Sequence, residues 1–179
     1  MNLFVIRHTS VDVEPGICYG QSDVVVVAST FLLEKEKVKS SIAEIPFDAV
    51  FSSPFFRCKT LAESLIQKDK IVFDDRLKEL NFGEWELKIW DAIYNSPKGK
   101  VWMDNYQTLP TLNGESYPEM VERISLFYSE LNLKEYENVA IFTHAGVIRI
   151  LKSIVEKQSI DELFTSFNPE YGSISKFKI

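Results

Sequence analysis

The chain has 179 residues, 45% apolar and 26% charged, with a formal net charge of −6 at pH 7. That is chain enough for one globular domain with a sizeable core, and the acidic balance excludes nucleic acid as a main partner, which would want a basic face. Its two cysteines, without CxxC spacing, exclude a disulfide scaffold and a zinc finger, and no apolar run approaches the ~20 residues that span a bilayer.

Only six residues precede Arg7, too few for the apolar stretch of a secretory signal. A cytoplasmic protein with reduced thiols is therefore expected. There is no repeat, low-complexity tract or linker, so one domain over 1–179 is expected.

Leu3-Phe4-Val5-Ile6 reads as a short buried strand, with Arg7, His8 and Thr9 directly at its carboxyl end. Ligands of open α/β sheets bind at the carboxyl ends of strands. A cation beside an imidazole suits an anion such as phosphate, and imidazole can attack a phosphate directly. A surface histidine after an edge strand explains these few residues equally well. The loop from Thr9 to Asp23 is long for a plain connection. Within it Gly20, next to Tyr19, either lets backbone approach an anion or serves only as a turn. Val24 to Val27 is too short to classify.

Ser29 to Ile45 reads as a helix burying Phe31, Val38, Ile42 and Ile45, with Glu34 to Lys37 solvated. Asp48 to Ser52 is a second strand. Ser53-Pro54 then resembles an N-cap and first helical position, with a helix to about Gln67 and Arg57 one turn inside it. There Arg57 either reaches an anion at the strand end or lies exposed on a surface helix. Ile71 to Phe73 is a short third strand. Leu77 to Glu86 interleaves acidic and apolar residues around Gly83. A carboxylate held there among Leu80, Phe82 and Trp85 suits a proton donor, although glutamates usually face water.

Residues 87–115, with Trp90 and Trp102 and broken by Pro97, Gly99 and Pro110, form either a helical lid over a site or a small satellite core. Ser116-Tyr117-Pro118-Glu119 is a capping-box pattern that starts a helix to about Leu133. Val139 to Thr143 is another apolar strand, followed by His144-Ala145-Gly146 and a largely apolar helix from Val147 to Glu156. The alternation from Ser173 to Ile179 fits a last strand with one buried face. Both histidines of the chain thus come directly after apolar strands, which packing alone does not predict. The expected site gathers Arg7, His8, Arg57 and His144 around one phosphate. The two guanidiniums would keep His8 unprotonated. No acidic cluster suits a metal, so neither metal nor cofactor is expected.

Four stretches together resemble the histidine phosphatase superfamily, with its phosphoglycerate-mutase-like fold. They are Arg7-His8-Thr9, Ser52 to Cys58, Glu79 to Glu86, and Thr143 to Gly146. The resemblance implies a three-layer α/β/α sandwich around a mostly parallel sheet. It also implies a phosphomonoester hydrolase with His8 as nucleophile, Glu79 as proton donor and acceptor, and Arg7, Arg57 and His144 as phosphoryl ligands. Backbone around Tyr19-Gly20 and Ala145-Gly146 would assist. Gly16 to Asp23 and Phe82 to Glu86 look most like the α-ribazole phosphatase branch, which removes a 5′-phosphate from a cobalamin lower-ligand precursor. Thr9-Ser10-Val11 and Glu14 stand where mutases carry Gly-Glu-Ser and an asparagine. A phosphoglycerate mutase, a broad small-molecule phosphatase and a phosphate-binding module without turnover are the alternatives.

Overall fold

Strands β1 (Asn2–Arg7), β2 (Ala49–Ser52), β3 (Ile71–Phe73), β4 (Asn138–Thr143) and β5 (Ile174–Lys178) form one sheet in the order β3-β2-β4-β1-β5. A computed structural model describes all residues 1–179. The first four strands run parallel, and only β5 is antiparallel, at the edge beside β1. The central strands are near-continuous apolar runs because both their faces are covered. Leu3, Val5, Val139 and Ile141 point to one side, where they pack with Met120, Ile124, Phe127, Val147 and Leu151. Those partners belong to α5 (Tyr117–Leu131) and α6 (Ala145–Glu156). Ile6, Ala140 and Phe142 point to the other side, onto Val38 and Ile42 of α1 (Ala28–Ile42) and Leu61 and Ala62 of α2 (Phe56–Leu65). Period-two alternation in the strands thus divides one sheet between two helical layers.

The order of strands matters more than their number. The chain runs from β1 out to β2 and β3, then returns to insert β4 between β2 and β1. Arg7 pairs with Thr143, and Ser52 with Phe142, so the carboxyl ends of three strands stop level. The residues just past those strands therefore meet at one place, where the winding reverses.

The helix at Ser116 starts as its capping box requires: the Ser116 side chain accepts from the Glu119 amide, and Glu119 reaches back to the Ser116 amide. Three local readings of the sequence need correction. Ser53 does not cap α2, which begins at Phe56. The Ser53 hydroxyl is engaged with His144 instead, and the Phe56 amide donates to Asp23 Oδ1 at 2.7 Å. Glu34 is not solvated: its carboxylate accepts from the Ser10 amide and hydroxyl, which fastens the loop after His8 to α1. Gly99 does not break a helix. It lies within α4 (Pro97–Asn105), where any Cβ would collide with the Ile93 carbonyl at the end of α3 (Trp90–Asn95). Val24 to Val27 forms no strand, only an isolated bridge between Val11 and Val26. A seventh helix, α7 (Ile160–Ser166), has no counterpart in the sequence reading. No helix is long and apolar enough to cross a membrane.

Candidate active site

His8 is the first residue past β1 and His144 the first past β4, and the register of those strands brings the two rings to 5.2 Å between centroids. Both are buried, at 2% and 0% exposure. Burial, then the charges of Arg57 and Arg7, hold His8 well below the usual imidazole range. Burial is also the first cause for His144, followed by Arg57 and by His8 itself. Desolvation thus contributes more to keeping His8 neutral than either neighbouring cation does. His8 Nδ1 lies 2.8 Å from the Thr9 carbonyl oxygen. A carbonyl only accepts, so the ring proton sits on Nδ1 and Nε2 keeps its lone pair. His144 Nε2 lies 2.9 Å from the Ser53 hydroxyl.

Arg57 is fully buried. Its Nη1 donates to the Ser22 carbonyl at 2.8 Å and its Nη2 to the Gly20 carbonyl at 2.6 Å. Arg7 donates from Nη1 to the Pro169 carbonyl at 2.6 Å and lies 3.9 Å from the centre of the Tyr171 ring. The Nε–H groups of both arginines are buried with no partner in the protein. Neither guanidinium pairs with a carboxylate; the partners they do have are neutral carbonyls. A buried cation so arranged is costly unless an anion shares the site.

Glu79 enters from the loop after β3. Its Oε2 accepts from the Gly146 amide at 3.0 Å, at the amino end of α6. Its own carbonyl accepts from Gln21 Nε2 at 2.9 Å and Arg123 Nη2 at 3.1 Å. Arg123 is in turn fixed by Glu115 at 2.6 Å. Glu86 occupies a different position: it accepts from the amides of Gln21, Ser22 and Phe82 and from the Ser22 hydroxyl. It stitches the loop that supplies the carbonyls gripping Arg57.

Arg7, His8, Arg57, Glu79 and His144 line one cavity of about 430 Å³, together with Tyr19, Gly20 and Gly146. Of the sequence-predicted site residues, Arg7, His8, Tyr19, Gly20, Arg57, Glu79, His144 and Gly146 all line it. Ala145 opens α6 beside the cavity without lining it, and the Gly146 amide is taken by Glu79. The walls above are aromatic: Phe82, Trp90, Tyr94, Trp102, Tyr106 and Phe164. Several of these come from 87–115.

Sequence reasoning missed Ser53, Tyr117, Arg149 and Tyr171. Arg149 had a usable signal, being a cation on a helix otherwise mostly apolar. The others had none, because a serine or tyrosine in a loop or at a helix start looks the same whether it faces a site or not. Neither thiol competes as a nucleophile. Burial pushes both Cys18 and Cys58 up to about 12, so they stay protonated at neutral pH. No cluster of acidic, histidine or cysteine side chains is arranged for a metal ion.

The family model for the histidine phosphatase superfamily, branch 1, matches residues 3–179. A Hydrogenobacter thermophilus protein provisionally named phosphoserine phosphatase 2 is 26% identical over 171 residues, covering 90% of this chain and 82% of its own. Among solved structures, the α-ribazole phosphatase from Shigella flexneri superposes with a TM-score of 0.89 at 21% identity, over 100% of this chain and 91% of that one. The mycobacterial glucosyl-3-phosphoglycerate phosphatase gives 0.83 at 18% identity, over 98% and 88%. At such identities these two structures speak for a shared fold. The near-complete family match, on a chain whose two histidines meet at one cavity, carries the assignment: this protein belongs to the histidine phosphatase superfamily, branch 1.

Proposed function

We propose that this protein hydrolyses phosphomonoesters through a phosphohistidine on His8. The observation that carries this reading is a neutral, buried His8 beside a buried Arg57 and a half-buried Arg7, neither of which has a carboxylate partner. His8 Nε2 attacks phosphorus as the ester oxygen departs. Arg7, Arg57 and His144 neutralise and orient the equatorial oxygens, which is most of what phosphoryl transfer asks of a protein. Glu79 gives its proton to the departing alkoxide. It then takes one from the water that attacks the phosphohistidine, freeing phosphate and restoring His8.

The substrate we propose is α-ribazole 5′-phosphate, a cobalamin precursor. The aromatic walls support it: Trp90 and Tyr94 stack with an interplanar angle of 22°, and Phe82 meets Trp90 edge to face. A planar base suits such walls better than a small zwitterion like phosphoserine. The structural likeness to the Shigella flexneri α-ribazole phosphatase fits the same reading. Segment 87–115, which supplies Trp90, Tyr94, Trp102 and Tyr106, acts in this proposal as a lid within a single domain.

Two measurements test it. Rapid quenching during turnover of a labelled ester should trap acid-labile phosphate on wild-type protein and none on His8→Ala, which should also lose turnover. Across a panel of phosphomonoesters, kcat/KM should be highest for α-ribazole 5′-phosphate. A sugar phosphate or phosphoserine winning the panel would overturn the substrate and leave the chemistry standing.

A further inference from the structure

In a cavity whose upper walls are mostly aromatic, two polar side chains have no role in the steps above. Tyr117, the first residue of α5, is 6% exposed, and its hydroxyl is buried with no hydrogen-bond partner. Its ring is held between Tyr106 and Phe164, at 6.1 and 5.6 Å, so it cannot swing out to water without dismantling the wall. Arg149, on α6, is the second. Its Nε donates to the Phe167 carbonyl and its Nη2 to Asn168 Oδ1, each at 2.9 Å, which leaves Nη1 without a protein partner. Both side chains line the cavity with Glu79. The three are close enough for their charges to be felt mutually: Glu79 and Arg149 act on Tyr117, and Glu79 and Tyr117 act on Arg149.

A buried hydroxyl that bonds to nothing is destabilising, as is a half-buried guanidinium without a carboxylate partner. Both become favourable when an oxygen acceptor lies between them. Glu79 marks where the ester oxygen leaves, so such an acceptor belongs to the leaving alcohol, close to that oxygen.

We infer that Tyr117 and Arg149 form a recognition subsite for an oxygen acceptor on the leaving alcohol, a hydroxyl or a carboxylate one or two carbons from the ester oxygen. The inference rests on the hydrolase reading and adds a requirement to its substrate. A ribose 5′-phosphate offers an acceptor at that distance in its ring oxygen, on the second carbon, and a hydroxy acid offers one in its carboxylate. The phenol and Nη1 both donate, so the subsite favours acceptors and disfavours ammonium groups.

Ethyl phosphate, 2-hydroxyethyl phosphate and phosphoglycolate differ only at this position, and kcat/KM for the three tests the subsite. At least one oxygen-bearing ester should exceed ethyl phosphate by roughly tenfold. Which one does so distinguishes the hydroxyl from the carboxylate. Tyr117→Phe and Arg149→Met should each shrink that preference severalfold, and Arg149→Lys should recover part of it for phosphoglycolate alone. Tyr117→Phe should also raise Tm by a few degrees, since it removes an unpaired buried hydroxyl. The same preference measured as binding by calorimetry needs no turnover. Binding preference without phosphate release would thus keep the subsite and sink the hydrolase. Equal use and equal binding of all three esters, or a Tyr117→Phe variant that loses on all three by the same factor, would overturn the subsite.

Discussion

The backbone amide of Gly146 donates to Glu79 Oε2 at 3.0 Å, tying the carboxylate of one loop to the amino end of the helix after His144. Two parts of the site, far apart along the chain, are positioned against each other by that bond. A Cβ at residue 146 would meet Glu79 Oε1 in hard contact and Met120 Cε at 3.1 Å. Gly146→Ala should therefore displace the carboxylate while leaving α6 intact, since alanine is the better helix former. The expected result is a loss in kcat of about 10²-fold, the usual effect of a misplacement near 1 Å, with Tm changed little. Steady-state kinetics and a thermal melt on the same preparation check this.

Glu79→Gln keeps the shape of the acid and removes its proton. Turnover should fall roughly 10²-fold or more. The loss should be smaller for esters with a good leaving group, such as p-nitrophenyl phosphate, than for alkyl phosphates, because a stable phenolate needs no proton. Equal losses on both would remove Glu79 from the proton-donor role.

Both buried histidines have folded pKa values below the ordinary 6.5. The unfolded chain therefore binds protons that the folded one refuses. Stability should fall as pH drops below about 6.5, by about 1.4 kcal/mol per pH unit for each proton taken up. Above that pH the two rings contribute no slope. Urea unfolding between pH 7.5 and 5.5 should show the decline, and His8→Gln should roughly halve it. The acid limb of kcat/KM should likewise lie below 6.5, because His8 remains a free base there.

The hydroxyls of Tyr19 and Tyr171 lie 2.5 Å apart. Tyr171 stacks on Arg7 at 3.9 Å, and the Tyr19 ring lies 5.5 Å from the Arg57 guanidinium. The two phenols thus clasp the two cations that hold phosphate in our proposal. Tyr171→Ala loses both the stack and the bond and should raise KM about tenfold, within the range of a partly desolvated cation–π contact. Tyr171→Phe keeps the stack and should raise it less. Inorganic phosphate inhibition should weaken in the same order.

Glu86 gathers four donors from two loops. Glu86→Ala should cost about 2–3 kcal/mol, as expected for losing hydrogen bonds to a charged group, and lower Tm by roughly 5–10 °C. KM should rise as well, because the Gly20 and Ser22 carbonyls that orient Arg57 are released.

Much of the fold was legible because apolar periodicity is local. Val139 to Thr143 needs no partner to read as a buried strand, and Ser116 with Glu119 announces a helix start by itself. Sequence order alone also put one histidine at the end of each of two strands. The start of α2 was misread because its first amide is satisfied by Asp23, 33 positions away, and no local rule sees such a donor–acceptor pair. Glu34 was misread for the same reason: its partner is Ser10, across the β1 loop.

The sequence by itself determined which chemistry is available: two imidazoles, one arginine at a strand end and another at a helix start, a glutamate among apolar neighbours. Only the tertiary structure decided that they share a cavity, because the insertion of β4 between β1 and β2 is a matter of sheet order and leaves no mark on any single stretch. It alone decided their electrical state too. Desolvation depends on everything packed around a ring, and that shell is drawn from the whole chain.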